Sequence, residues 1–204
     1  MCDQTSDVVH RAAVDLAVST VRTALTTERI DAQELLAAVT TDENVLKALH
    51  EPIATFVTLQ VGDKLRGCIG TLLPLLPLYS DIVKNATKAM SDPRMSPVRP
   101  SEWPQLSVSV AILSQPEALE ADSFESLYTQ LRPGVDGLTL RHNGKRATFL
   151  PSVWAKLDEP KQFVAGLLRK GGWDPVELPF GMRAERYSTI NVHSRPPRAE
   201  LVQP

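Results

Sequence analysis

Lys64-Leu65-Arg66-Gly67-Cys68-Ile69-Gly70-Thr71 places a thiol two residues after a guanidinium and four after an ammonium. Side chains alternate along an unbroken strand, so Lys64, Arg66 and Cys68 share one face while Leu65 and Ile69 turn to the other, toward a core. Arg66 then stands ~6 to 7 Å from Cys68 along the strand. A guanidinium at that range favours thiolate over thiol and can also hold an anion. Gly67 and Gly70 carry no Cβ, which lets a ligand or another backbone approach the sulfur. Thr71 adds a hydroxyl at the strand end. Cysteine is also a common small core hydrophobe, and on these residues alone an inert buried thiol is favoured somewhat over a functional one, with both left open.

A thiol nucleophile needs a base or a charged partner. The histidines are His10, His50, His142 and His193. His142 adjoins an Asn143-Gly144 turn and is expected at the surface, so Arg66 is the better partner for Cys68. Asp136, in the turn Gly134-Val135-Asp136-Gly137, could carry a proton, clamp Arg66 or Arg94, or bond its own backbone. Arg94, following Asp92-Pro93, could anchor a proline-rich loop or bind a carboxylate or phosphate. Trp103, Trp154 and Trp173 suit core or lid positions. The sequence contains no zinc-ligand spacing, phosphate-cradling glycine loop, cluster-binding cysteine triplet or dinucleotide fingerprint. No metal or nucleotide cofactor is therefore expected.

The elements that must position these residues are legible. Thr5, Ser6 and Asp7 offer caps to a long amphipathic helix with Val9, Ala12, Ala13, Leu16 and Leu25 at helical spacing. Asp31 caps a second helix carrying Leu35, Leu36 and Val39, and Val45, Leu46 and Leu49 follow before Pro52. Residues 53–61 and 64–71 form a hairpin through Gly62-Asp63, and a helix from Leu78 to Met90 ends at Asp92-Pro93. A proline-dense loop from Arg94 to Pro104 leads into a strand with Val108, Val110 and Ile112 inward. The order then recurs. Leu138 to Arg141 and Arg146 to Leu150 flank Asn143-Gly144, a strong type I′ turn signal; Ser152 to Leu157 and Pro160 to Lys170 are helical, and Met182 to Val192 is a last strand. Two related halves are expected, at 53–114 and 134–192. A cleft between them would be lined by Arg66 and Cys68 on one side and the Asp136 turn on the other. The tail at 194–204 is expected to be disordered.

Composition narrows the class. With 204 residues, 43% hydrophobic and 23% charged, the chain can bury a sizeable core. A net charge of -2 gives no basic field for nucleic acid. Two cysteines argue against a structural disulfide or cysteine-rich metal site. No apolar run reaches the ~20 residues of a membrane span, and no signal peptide is evident, so a cytoplasmic protein is expected.

Leu65-Arg66-Gly67-Cys68-Ile69-Gly70-Thr71 resembles the signature of the AMMECR-type domain, whose prokaryotic members are known as protein A of the AmmeMemoRadiSam system. Phe56-Val57-Thr58-Leu59, Asp92-Pro93-Arg94, Ser96-Pro97-Val98, Gly134-Val135-Asp136-Gly137-Leu138 and Thr148-Phe149-Leu150-Pro151-Ser152-Val153-Trp154 match the pattern in order, over roughly residues 8–190. The resemblance implies an α+β fold with a duplicated hairpin-helix-strand unit around a barrel-like, mostly antiparallel sheet. It also implies two partners, a Memo-like protein and a radical SAM protein. Leu168 stands where many relatives carry a second cysteine, so a thiol pair is not expected. Met95 replaces a common aromatic, and Tyr187 lacks the usual following phenylalanine. Two functions follow. The first is an accessory or ligand-binding component presenting Arg66 and Cys68, with Gly67, Gly70, Thr71, Arg94 and Gly137 around a small anionic ligand. The second is a thiol-dependent transferase or hydrolase with Cys68 as nucleophile, Arg66 as thiolate stabiliser and Asp136 as proton carrier.

Overall fold

The computed structural model describes residues 2–27, 29–199 and 201, with side chains from residue 6 onward. The helices are α1 (Cys2–Thr26), α2 (Ala32–Val39), α3 (Glu43–His50), α4 (Leu78–Ala89), α5 (Phe124–Tyr128) and α6 (Pro160–Gly171). The strands are β1 (Thr55–Val61), β2 (Lys64–Gly70), β3 (Leu106–Leu113), β4 (Glu117–Leu119), β5 (Gly137–His142), β6 (Lys145–Phe149), β7 (Arg183–Tyr187) and β8 (Thr189–Ser194). The chain divides into a first unit, up to Ile112 and again from Ile190, and a second unit from Leu113 to Thr189. Each has its own sheet and its own core.

In the first unit the strand order is β2-β1-β3-β8. Val57, Leu59, Val108 and Val110 alternate inward and are fully buried against α4, whose Ile82, Ala86 and Ala89 meet them. Helix α1 packs on α4 through Ala13, Leu16, Ala17 and Val21, a stripe at helical spacing. Asp31 caps α2 as expected, its carboxylate accepting the N–H groups of Gln33 and Glu34. The long first helix begins earlier than expected, so Ser6 and Asp7 lie within it rather than at a cap; Thr5 lies outside the described side chains.

The β1-β2 hairpin is not regular. Its register steps from Leu59↔Gly67 to Gln60↔Leu65, which leaves Arg66 as the extra residue of a bulge. A bulge interrupts alternation, and two expectations change with it. Leu65 is 37% exposed instead of buried, while Ile69 does pack on the core. Gly67 lies opposite Leu59 on the core side, where a Cβ would overlap the carbonyl oxygen of Ala89 at the end of α4.

The second unit orders its strands β4-β7-β5-β6. Leu138, Leu140, Ala147 and Ala184 face Phe163, Val164, Leu167 and Leu168 of α6, and Trp154 stacks on Phe163 with centroids 3.8 Å apart. Asn143 and Gly144 take φ of 47° and 73°, the left-handed pair a type I′ turn requires. The helical stretch expected at 152–157 is a short 3-10 turn, Pro151–Ala155, and the single last strand expected at 182–192 is split at Ser188 into β7 and β8.

The fold is α+β, and the hairpin-helix-strand order does recur: β2-β1-β3 with α4, then β6-β5-β7 with α6. The strands form two open four-stranded sheets and no closed barrel among the described residues. Of the tail expected to be disordered, residues 194–199 and 201 are described. Trp103 Nε1 donates to the Ala199 carbonyl at 2.8 Å, and Arg198 lies over the Trp103 ring while its Nε donates to the Leu106 carbonyl at 2.6 Å. Glu200 and residues 202–204 lie outside the described residues.

Because the Ala89 carbonyl is backbone and cannot swing aside, Gly67→Ala is expected to destabilise the protein by about 1–3 kcal/mol, as overpacked sites do. Urea unfolding checks this, with Gly62→Ala as a comparison whose own loss comes from its positive φ and not from crowding.

Candidate functional site

Strand β2 is the outer strand of its sheet, so part of its backbone has no ladder partner. At Cys68 these outward groups are taken by the segment that follows α4. The Cys68 N–H donates to Asp92 Oδ2 at 3.0 Å, and Arg94 Nη2 donates to the Cys68 carbonyl at 2.9 Å. Proline after Asp92 disfavours helix at the aspartate and turns the chain back along the strand. Asp92 is itself 1% exposed. It also accepts from Arg94 Nε at 2.9 Å, Arg94 Nη2 at 2.6 Å and the Arg94 backbone N–H at 3.1 Å. The Arg94 guanidinium first, and then the Cys68 N–H, hold the Asp92 carboxyl far below the usual carboxylate range. Asp92 in turn raises Arg94.

With its backbone bonds directed outward, Cys68 forms a non-hydrogen-bonded pair with Thr58, the arrangement in which side chains come closest. Thr58 Oγ1 donates to Sγ at 3.3 Å. Among the described residues that hydroxyl is the sulfur's hydrogen-bond partner; no histidine or carboxylate takes the role. Cys68 is half-buried.

Arg66 is not the cation bonded at Cys68. The bulge carries it, 8% exposed, to Glu102, where Nε donates to Oε1 at 2.5 Å and Nη2 to Oε2 at 3.0 Å. Its Nη2 also faces the carbonyls of Ser96 and Pro97 at 3.2 and 3.3 Å. Glu102 is fixed from the other side by the Arg99 N–H at 2.9 Å. The pair raises Arg66 and lowers Glu102, chiefly through the hydrogen bonds between them. Lys64, Arg66, Ser96, Arg99, Ser101 and Glu102 line a cavity of about 340 Å³. Cys68 is not among its walls.

Thr71 and the strand end are held by a second buried carboxylate. Asp81 on α4 is 2% exposed and accepts from Thr71 Oγ1 at 2.6 Å, Thr55 Oγ1 at 2.8 Å, the Thr55 N–H at 2.9 Å and Asn85 Nδ2 at 2.9 Å. A Cβ at Gly70 would run into the Phe56 ring, so this glycine serves packing.

Asp136 and Gly137 belong to the second unit. Asp136 is fully buried and accepts the Arg132 backbone N–H at 2.8 Å and Arg132 Nη2 at 2.7 Å. The aspartate therefore holds its own turn, and its arginine is Arg132 rather than Arg66 or Arg94. Its carbonyl accepts from Trp154 Nε1 at 2.6 Å, and Gly137 lies under the Tyr187 ring. His142 Nε2 is 2.9 Å from Asn143 Nδ2 at the hairpin tip.

Sequence reasoning missed Asp81, Asp92 and Glu102 as organising carboxylates. Glu102 is three residues after Arg99, the spacing at which an acid reaches back to an N-cap N–H, and that was the available signal. Among the described residues no group of three or more His, Cys, Asp or Glu side chains is placed to hold a metal ion. No described helix is long and apolar enough to cross a membrane.

A family model described as AMMECR1 matches residues 14–192. A protein of Methanothermobacter thermautotrophicus is 36% identical over 59% of this chain and 64% of its own length, and one of Methanosarcina barkeri is 35% identical over 72% of this chain and 71% of its own. The crystal structure of an uncharacterized protein from Pyrococcus horikoshii superposes with a TM-score of 0.77 at 26% identity, covering 92% of each chain.

The Arg66–Glu102 pair predicts a pH dependence. Glu102 titrates below its ordinary 4.5 when folded, so its contribution is complete above that value and is lost as pH falls through the lower folded value. Glu102→Gln is expected to lose roughly 2 kcal/mol at pH 7 and to show a shallower fall in stability between about pH 5 and 2. Urea unfolding across that range measures both, and an unchanged acid slope would sink the assignment.

Proposed function

Since the chain belongs to the AMMECR1 family, we propose that it serves as an accessory or ligand-binding component and not as a thiol enzyme. One observation carries the reading: the second unit repeats two features of the surroundings of Cys68, a threonine across the strand pair and a cation on the carbonyl, with a threonine in place of the thiol. Thr148, on outer strand β6, pairs with Thr139 as Cys68 pairs with Thr58, and their hydroxyls lie 3.0 Å apart. The Thr148 carbonyl accepts from Lys170 Nζ at 3.0 Å, as the Cys68 carbonyl accepts from Arg94. A position built twice, once without sulfur, is explained by strand pairing and needs no nucleophile. The charged groups expected to assist catalysis are also committed elsewhere, Arg66 to Glu102 and Asp136 to Arg132.

Recognition in this reading falls to the rim beside the bulge, where Lys64 and Arg99 are exposed next to the Arg66–Glu102 pair. Two exposed cations around a fixed pair suit an acidic surface of a partner protein. The Memo-like protein and the radical SAM protein are the partners proposed, on the family resemblance, in the cytoplasm.

Titration of the purified chain with each of these two proteins tests the proposal. Cys68→Ser is expected to leave the dissociation constant within about threefold, and the double change Lys64→Glu, Arg99→Glu to weaken it tenfold or more, about 1.4 kcal/mol. Failure to bind either protein, together with a covalent intermediate on Cys68, would replace this reading with the thiol enzyme.

A further inference from the structure

The hairpin of the second unit carries a row of arginines. Arg141 on β5 is in register with Arg146 on β6 and with Arg183 on β7. Residues directly opposite one another in adjacent strands point to the same face, and neighbouring strands are ~4.8 Å apart. Three guanidinium-bearing side chains thus stand side by side across three strands. The face is the one shared by Thr139, Thr148 and Glu185, opposite the Leu140, Ala147 and Ala184 face that meets α6.

Like charges directly opposite in a sheet are unfavourable, and here they are only partly compensated. Arg141 Nη2 pairs with Glu185 at 3.1 Å. Arg141 Nε is buried with no hydrogen-bond partner. Among the described residues Arg146, Arg183 and Lys145 form no ion pair. These side chains, with His142 and the Asn143-Gly144 turn, line a cavity of about 520 Å³ that has no acidic or large apolar wall and no Phe, Tyr or Trp ring. That volume lies within the range of small-molecule sites.

We propose that this cavity binds a compact anion bearing two or more phosphate groups, recognised through its phosphates alone. Guanidinium forks match phosphate oxygens two at a time, and one multiply charged anion would neutralise the row that the bare protein leaves in repulsion. With no Phe, Tyr or Trp ring among its walls, the cavity lacks the large stacking platforms on which single-stranded nucleic acid usually rests successive bases. A free polyphosphate and the phosphate tail of a nucleotide share this chemistry. The first unit shows the alternative outcome for such an arginine, since the bulge at Arg66 delivers it to Glu102.

Calorimetric titration of the full chain with tripolyphosphate, adenosine triphosphate, adenosine and sulfate at equal ionic strength tests the site. Tripolyphosphate is expected to bind at least tenfold more tightly than sulfate, and adenosine not at all. Adenosine triphosphate within about threefold of tripolyphosphate marks a site open to nucleotides, and a weaker response marks free polyphosphate. Arg146→Gln and Arg183→Gln should each weaken tripolyphosphate about tenfold, while Lys47→Gln in the first unit changes nothing. In phosphate-free buffer Arg146→Gln should also melt higher, by roughly 1–4 °C, because it removes a repulsion. Equal tripolyphosphate affinity in folded Arg146→Gln and Arg183→Gln overturns the proposal. So does an RNA oligonucleotide that binds without being displaced by tripolyphosphate.

Discussion

The buried carboxylate of Asp92 is the constraint on which the arrangement around β2 depends. An outer strand exposes backbone donors and acceptors that must be satisfied or covered. Asp92 accepts one such donor at Cys68 and orients Arg94, which covers the neighbouring acceptor. The chain leaving α4 is thereby tied along β2, and the proline-dense loop beyond it runs on to Glu102. From that anchored loop the carbonyls of Ser96 and Pro97 meet Arg66. Asp81 does similar work one turn into α4, where it gathers Thr55, Thr71 and Asn85 around the other end of the hairpin. Buried acids, each fully supplied with donors, bind helix to strand at both ends.

The two units solve the same problem with different residues, and the differences are informative. Thr58 with Cys68 and Thr139 with Thr148 are equivalent cross-strand pairs beside outer-strand carbonyls held by a cation. Arg66 and Arg146 both precede the small residue that faces the helix, Gly67 in one unit and Ala147 in the other. Gly67 is crowded by the Ala89 carbonyl and sits next to the bulge; Ala147 has room for its methyl and its strand stays in register. One arginine is therefore drawn into an internal ion pair and the other stays in a cationic row at the surface.

Much of this was legible in the sequence, for reasons that can be traced. Helical spacing identified α1, α4 and α6, and the Asn143-Gly144 pair fixed the second hairpin because so few residues tolerate its dihedrals. The recurrence of hairpin, helix and strand emerged from turn chemistry and period alone. What failed was the face assignment around Arg66. A strand pattern carries no mark of an inserted residue, so alternation placed Arg66 with Cys68 and buried Leu65, and the bulge reversed both. The carboxylates were illegible for a different reason. Each of Asp81, Asp92 and Glu102 has a near partner, in Asn85, Arg94 and Arg99, but the ties that join segments run to Thr71, Cys68 and Arg66, 10 to 36 positions away in the chain, a distance over which local pattern is silent.

Strand β8 gives the chain a particular order of assembly. It lies beside β3, so the sheet of the first unit closes with residues that follow the whole of the second unit. Residues 113–189 are contiguous, so every strand of the second unit's sheet is present once residue 189 has been made, whereas the β3 edge of the first unit has its partner strand only after β8 follows. The part of the polypeptide made first is thus the one whose sheet needs residues made last, and Trp103 ties the segment after β8 to it through Arg198 and Ala199.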